Sequence, residues 1–481
     1  MTTIVWFRQD LRLADNPALF HAAAQGPVVP VYIFEEGGEN DDAPRPLGGA
    51  SRWWLHHSLA AFDRSLGGLL LMRGYPATIL RDLAAKTGAE AVHWNRCYEP
   101  PSIARDKALK ASLRGNGLDV RSFNGSLLHE PWEIETGGGG PFKVFSPYWR
   151  AAQKCAVASP LAAPALTLAD TGVAGDSLDA WGLLPKNPDW AAAWSDLWQP
   201  GEAGARTRLE AFLKDGVAGY GSLRDRPDQP NVSRLSPHLH FGEISPRQIW
   251  AVAGIEEQGR PQLHKDVDKF LSELGWREFS YHLLYHFPSL PQDNWRPAFD
   301  AYPWRDCEDD LRAWQRGMTG YPFVDAGLRE LWQTGYMHNR VRMVAASFLV
   351  KHLRIDWRRG EAWFWDTLVD ADMANNAAGW QWVAGSGADA APYFRIFNPV
   401  AQGRKFDPDG TYVRRWCPEL AGLGNDVIHA PFEASEETLA KAGVRLGITY
   451  PEPVVEHTTA RALALEGYDA VKTANANASN A

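Results

Sequence analysis

Two short runs near the start, "TIVWFR" at Thr3–Arg8 and "VVPVYIF" at Val28–Phe34, decide how the chain begins to fold. Both are almost continuously apolar and rich in valine, isoleucine and aromatic residues, as strands covered on both faces must be. "LLLMRG" at Leu69–Gly74 and "AVHWN" at Ala91–Asn95 repeat the signal, while "SRWWLHHSLAAFDRSL" at Ser51–Leu66 has helical period. Strands separated by helix-length segments predict a parallel, doubly wound, Rossmann-like α/β domain over residues 1–130. No GxGxxG follows the first strand, so the usual dinucleotide fingerprint is missing from it.

The pattern changes downstream. "ETGGGGPF" at Glu135–Phe142 reads as a break, and Ala156 to Pro185 is rich in alanine, proline and leucine with little periodicity. Residues 131–195 are therefore expected to be an interdomain linker. Beyond Trp190 helical patterns dominate, which predicts a large all-helical domain over 196–465. In "YPFVDAGLRELWQTGY", Val324, Leu328 and Leu331 make one apolar stripe and Gly335 stands where a helix would end. The end, "KTANANASNA", is polar and biased, and 466–481 is expected to be a flexible tail.

A chain of 481 residues exceeds one ordinary core, and 45% hydrophobic with 22% charged residues describes a soluble globular protein. Arg8, Asp10 and Arg12 interrupt any secretory leader, and no apolar run reaches the length of a membrane span, so no membrane partner is expected. Four cysteines without a CxxC pair suit a reduced cytoplasm and argue against a metal site. The net charge of −9 excludes a uniformly basic surface for nucleic acid while leaving room for a local patch. Of the 22 tryptophans, eleven fall at or after Trp276. They fit a large helical core, or an array of oxidisable indoles able to carry an electron.

Four stretches carry candidate chemistry. In "DADMANNAAGWQW", Asp370–Trp382, the residues Asp372, Asn376 and Trp380 recur at i, i+4, i+8, which a helix would stack on one face. A buried acid beside buried amides is costly unless a polar partner, such as a bound ring system, satisfies it. "NVSRLSPHLHFGEISPRQIW" holds two Ser-Pro helix starts; Ser245 reads as a plain cap, and Ser233–Ser236 as a cap or a phosphate site. "FLSELGWREFSYHLLYHF" puts Glu273, Trp276, Arg277 and Ser280 on one helix face, either as an ion-pair cluster or as a site that stacks a flat ring. "YMHNRVRMVAASFLVKHL" places Asn339 and Met343 one turn apart beside Arg340 and Arg342. With Arg395, Arg404 and Lys405 further on, it makes a credible nucleic-acid surface.

"WFRQDLRLADNPAL", "SRLSPHLHFGEISPRQ", "WREF", "TGYPFVDAGLRELWQTGYMHNRVRM" and "DADMANNAAGWQWVAGSGADAAPYFRIFNP" together resemble the photolyase/cryptochrome family, from residue 4 to about residue 420. "PLGGASRWWLHHSL" and "WNRCYEP" look most like the third bacterial class of cyclobutane-dimer photolyases, the relatives of plant cryptochromes. The resemblance implies FAD in the helical domain. It matches Tyr220, Val232, Ser233, Arg234, Leu235, Ser236, Phe270, Asp370 and Asp372 to flavin-binding positions, and Asn376 to the residue facing flavin N5. Arg277 and Arg342 join the cofactor set, Arg342 to offset charge on a reduced flavin. Trp380, Trp357 and Trp304 match a chain of electron-relaying tryptophans. Trp276 and Trp382 match the walls of a cavity for a flipped pyrimidine dimer, and Glu273 the acid that hydrogen-bonds its bases. Arg224, Asn339, Arg340, Met343, Arg395 and Gln402 match further DNA-contacting positions.

The implied activity is light-dependent repair of cyclobutane dimers in damaged DNA, by a monomer. The alternative is a cryptochrome-type photoreceptor, against which the retained Asn376 counts. The family's better-known folate site uses an Asn-Glu pair after "YE", where this chain has Pro100-Pro101-Ser102. The third class implies a methenyltetrahydrofolate antenna held differently, favoured over a deazaflavin. Relatives that repair (6-4) photoproducts place histidines at the positions of Asn339 and Met343. Here an amide and a thioether stand there, and neither is a general acid.

Overall fold

The computed structural model describes residues 1–35, 44–389 and 394–479. The last family-like block therefore passes through 390–393, and the tail ends at 480–481, outside the described residues. Two compact units divide the chain: Met1–Ala218 with Ser233–Pro288 and Val369–Ala374, and Gly219–Val232 with Ser289–Leu368 and Asn375–Ala481.

The first unit is built on a five-stranded sheet of β1 (Thr3–Phe7), β2 (Val28–Phe34), β3 (Leu70–Arg73), β4 (Ala91–Asn95) and β5 (Asp119–Phe123), ordered β3-β2-β1-β4-β5. Every pairing is parallel. Parallel neighbours need crossovers, supplied by the helices Pro17–Ala23, Gly49–Leu66, Pro76–Thr87 and Pro100–Gly115. All residues of β1 and β4 are buried, which explains their unbroken apolar sequence. Trp6 and Trp94 meet edge to face at 5.8 Å within a core that includes Val29, Val31, Val92 and Val120. β5, absent from the sequence reading, is one of the two edges: of "DVRSF" only Val120 is fully buried and three of the five residues are polar, so it carries no apolar run.

Residues 131–195 are not a free linker. Phe145–Ala152 is a helix, and the segment after it is hydrogen-bonded onto the α/β unit. The Val28 amide donates to the Thr167 carbonyl at 2.9 Å, and the Asp176 amide to the Leu71 carbonyl at 2.7 Å. A proline- and alanine-rich strap has no period of its own, because its order comes from pairing with distant backbone. The unit also holds the helices Pro246–Gly259 and His264–His286, so it does not end where the sheet does. Ser245 caps the first of these with a full capping box through Gln248, as read from the sequence.

The second unit is helical, with Pro322–Thr334, Asn339–Ser347, Trp357–Thr367, Pro399–Phe406 and the long helix His457–Ser479 among its elements. Gly335 ends the first of these at φ 68°, in the left-handed region open to glycine. The expected flexible tail is helical to Ser479. Tyr468 and Val471, one turn apart, dock on a cluster with Phe299 and Tyr302, and Tyr468 stacks on Phe394 at 4.5 Å. Among the described residues, no helix is long and apolar enough to cross a membrane.

Candidate functional site

Asp372 does not share a helix face with Asn376 and Trp380; it immediately precedes the helix Met373–Ala384. Within the first unit it is buried, its Oδ2 accepting from the Tyr281 hydroxyl and lying 3.6 Å from His240 Nδ1. Burial opposes its ionisation, but His240, Arg277 and the Tyr281 hydroxyl outweigh burial and hold the carboxyl below the usual range. Asp370 Oδ2 accepts from the Ser236 hydroxyl at 2.5 Å. Ser236 is therefore not a cap: the helix Ser236–His240 is five residues long and has no side-chain cap. Before it, Ser233 Oγ accepts from the Leu235 amide at 3.4 Å, and Arg234 sits at φ 51°, a conformation costing a non-glycine residue about 1 kcal/mol. Val232 and Tyr220 belong to the second unit, where the Arg224 guanidinium lies 5.6 Å from the Tyr220 ring centroid.

The helix His264–His286 presents the next group. Phe270 is buried against Phe212, their ring centroids 4.7 Å apart. Glu273 accepts from Lys269 Nζ at 2.9 Å, one turn back. Trp276 stacks on Phe145 with centroids 3.8 Å apart and planes within 11°. Arg277 donates from Nη1 to the Ser126 carbonyl at 2.8 Å and lies over the Tyr281 ring. Ser280 turns its hydroxyl back to the Trp276 carbonyl, so it braces the helix rather than facing outward with the other three.

In the second unit, Asn376 Nδ2 donates to both the Glu361 carbonyl, at 3.1 Å, and Glu361 Oε1, at 2.8 Å. Trp380 is 2% exposed, edge-on to Trp314 and Phe364. Trp357 is fully buried, and its indole N–H donates to Asn294 Oδ1 at 3.0 Å. Trp304 is half-buried beside Tyr302. Trp380 and Trp357 are thus both buried, whereas Trp304 is partly exposed. Trp382 is half-buried, its N–H donating to the Asp389 carbonyl at 3.1 Å.

Arg342 donates to the Met337 carbonyl at 2.7 Å and lies over the Tyr336 ring. Asn339 opens its helix and is exposed, while His338 caps it by accepting the Arg340 amide at 3.2 Å on Nδ1. Met343, one turn on, is half-buried. Arg340, Arg395 and Gln402 line one cavity of about 530 Å³, together with Ser222, Asp225, Arg226, Phe397, Lys405 and Phe406. Arg224 is not among its lining residues.

Sequence reasoning missed the partners. Tyr281 and His240 hold Asp372, Glu361 holds Asn376, Phe145 backs Trp276, and Asp225 pairs with Arg340. Only Tyr281 left a local signal, one turn from Arg277 on the same helix. The others come from segments whose sequence gives no hint of where they go.

A parallel five-stranded α/β domain and a helical domain, with the buried acids Asp370 and Asp372, are what the chain brings to the comparison with known proteins. The chain matches the family models described as "DNA photolyase" over residues 3–165 and "FAD binding domain of DNA photolyase" over 270–470. It is 55% identical over 477 residues, 98% of both chains, to a deoxyribodipyrimidine photo-lyase of Agrobacterium fabrum. It is 39% identical to cryptochrome-1 of Arabidopsis thaliana over 96% of this chain and 69% of that protein. The crystal structure of a bacterial class III photolyase from Agrobacterium tumefaciens superposes with a TM-score of 0.94 at 54% identity, over 98% of both chains. The chain belongs to the photolyase/cryptochrome family.

Proposed function

We propose that the chain is a deoxyribodipyrimidine photo-lyase, which repairs cyclobutane pyrimidine dimers in DNA in a light-dependent reaction with FAD. The observation that carries this reading is similarity over 98% of both chains to a photo-lyase of that name, with identity of 55%. The residues fit the cofactor. Asp372 is buried, and the Tyr281 hydroxyl and His240 beside its Oδ2 help hold the carboxyl below its usual range, as suits a group that accepts from a ring N–H. Asn376 spends its donor group on Glu361, so the group it would offer a ring edge is its acceptor, Oδ1.

On this reading Tyr220, Val232, Ser233, Arg234, Leu235, Ser236, Phe270, Arg277, Arg342, Asp370, Asp372 and Asn376 hold FAD. Bound and reduced, FAD supplies on illumination the single electron that opens the dimer. The chain's own residues do the rest. Trp276 and Trp382 offer flat faces to the flipped dimer, whose stacking on each aromatic wall recovers about 1–3 kcal/mol per base. Glu273 accepts hydrogen bonds from the bases, and Asn339 and Met343 contact the lesion. Trp304, Trp357 and Trp380 feed electrons inward from solvent. The reading extends to a monomer working in the cytoplasm with a methenyltetrahydrofolate antenna, which the departure at Pro100-Pro101-Ser102 favours holding in a different manner.

The test is chromatographic. Chemically reduced protein is illuminated with oligonucleotides bearing either a cyclobutane dimer or a (6-4) product. Repair of the first and none of the second is expected, since neither Asn339 nor Met343 can donate a proton to a (6-4) lesion. Absence of dimer turnover, in protein that releases FAD on denaturation, overturns the reading.

A further inference from the structure

The cavity of the second unit carries an electrostatic feature that dimer recognition does not use. Arg226, Arg340, Arg395 and Lys405 line it with a single carboxylate, Asp225. Arg340 Nη2 donates to Asp225 Oδ2 at 2.6 Å, and the Arg340 guanidinium lies 4.4 Å from the Phe406 ring centroid. Arg226 is engaged in the same manner, forked onto Asp228 at 2.8 and 2.6 Å and reaching Asp409 at 3.4 Å. The Arg340–Asp225 pair is open to competition: its side chains are 19% and 34% exposed, at the wall of a cavity of about 530 Å³.

A carboxylate and a phosphodiester offer a guanidinium the same thing, two anionic oxygens matched to its fork of N–H groups. We propose that Asp225 is an internal stand-in for a DNA phosphate: it occupies Arg340 in the free protein and is exchanged for a backbone phosphate when DNA enters the cavity. The proposal rests on the DNA-repair reading and adds what sets its affinity. The stacked, paired guanidinium is already oriented, so little of its rotamer freedom is lost on binding. The exchange also keeps affinity for any duplex low, because each complex must first break an ion pair. A chain of net charge −9 can thus hold a phosphate site without presenting an open basic surface to every nucleic acid it meets.

The sign of one substitution decides the matter. Fluorescence anisotropy with labelled duplexes, dimer-bearing and undamaged, is run in the dark at physiological salt on the FAD-loaded protein. Asp225→Asn is expected to tighten both complexes about two- to fivefold, the span of a partly exposed ion pair. Its binding should also fall more steeply with salt, since Arg340 then gains a phosphate without releasing a carboxylate. In the Arg340→Gln background the gain should vanish. Weaker binding by Asp225→Asn, as expected if Asp225 only props Arg340, overturns the proposal, as does an unchanged gain in Arg340→Gln. Those results leave the repair reading standing. A parent protein that binds both duplexes alike removes the repair reading and this proposal with it.

Discussion

Asn376 shows how much of a site lies outside the residues a sequence singles out. Its side-chain amide has one donor group, and Glu361 takes it twice, through its backbone carbonyl and through Oε1. The amide is therefore fixed in one of its two flipped orientations. Asp370, Asp372, Asn376 and the tryptophans were legible as types, since two acids, two amides and two indoles within thirteen residues are an uncommon grouping, although of these acids and amides only the acids prove buried and Asn376 is partly exposed. Glu361 was not, because it lies 15 residues away on another helix and looks like any helix glutamate. Glu361→Ala removes a buried charge-assisted acceptor and is expected to destabilise the fold by about 2 kcal/mol in denaturant titrations. Glu361→Gln keeps an oxygen in place and should recover most of that loss. It should also restore the absorption fine structure of bound flavin that the alanine variant changes. A fully stable alanine variant with an unaltered spectrum would remove Glu361 from any orienting role.

Among the elements, those governed by local period were legible and those governed by partners were not. β1, β2 and β4 announce themselves because both faces are buried, and Pro322–Thr334 because its stripe and its glycine stop are local. The strap after Phe145–Ala152, the edge strand β5 and the docked C-terminal helix are ordered by contacts that no window of sequence contains. Asp372 was placed on a helix face because a 3.6-residue period does not say where the first turn starts. Trp357–Thr367 holds a further case, Gly360, which an interior helix position disfavours by about 1 kcal/mol relative to alanine. The reason is packing. A β-carbon there would sit 2.1 Å from Trp380 Cη2 and 2.6 Å from Leu349 Cδ2. Gly360→Ala should therefore not stabilise the helix but cost about 1–3 kcal/mol by overpacking. It should also shift the near-ultraviolet circular dichroism of the buried indoles. A higher melting temperature would show that the Trp380 ring has room to move.

At the scale of the whole molecule, the sequence predicted an α/β part and a helical part. The compact units cut across that division, since the helices through Pro288 group with the sheet. Burial on this scale also shapes how stability responds to acid. Burial lowers His93 and His282 to about 4 and His352 to about 3. Each is neutral in the fold but binds a proton once unfolded below pH 6.5, so stability falls as pH drops from 6.5 towards 4. A shift from 6.5 to 4 is worth on the order of 3 kcal/mol for one group. Buried carboxyls oppose this, Glu278 and Asp407 among them. Burial raises Glu278 to about 7 against the pull of Arg277 and two backbone amides, and raises Asp407 to about 6 against the Tyr412 and Val413 amides. Both are protonated in the fold at pH 5 and ionised when unfolded, so their contribution is present at low pH and is lost as pH rises from about 4.5 to 7. Burial also lowers His56, His57, His129, His429 and His457 and raises Glu35, Glu99, Glu130 and Asp325, so the shifted histidines outnumber the shifted carboxyls and prevail near pH 5.5. Stability should therefore level off near pH 7 and decline below pH 6. Glu278→Gln, which is neutral at every pH, removes part of the opposing contribution and should make the acid decline steeper. His93→Phe should make it shallower. Denaturant titrations at half-unit steps from pH 4.5 to 8 separate the cases, and equal slopes in all three proteins would mean that neither group changes its protonation on folding.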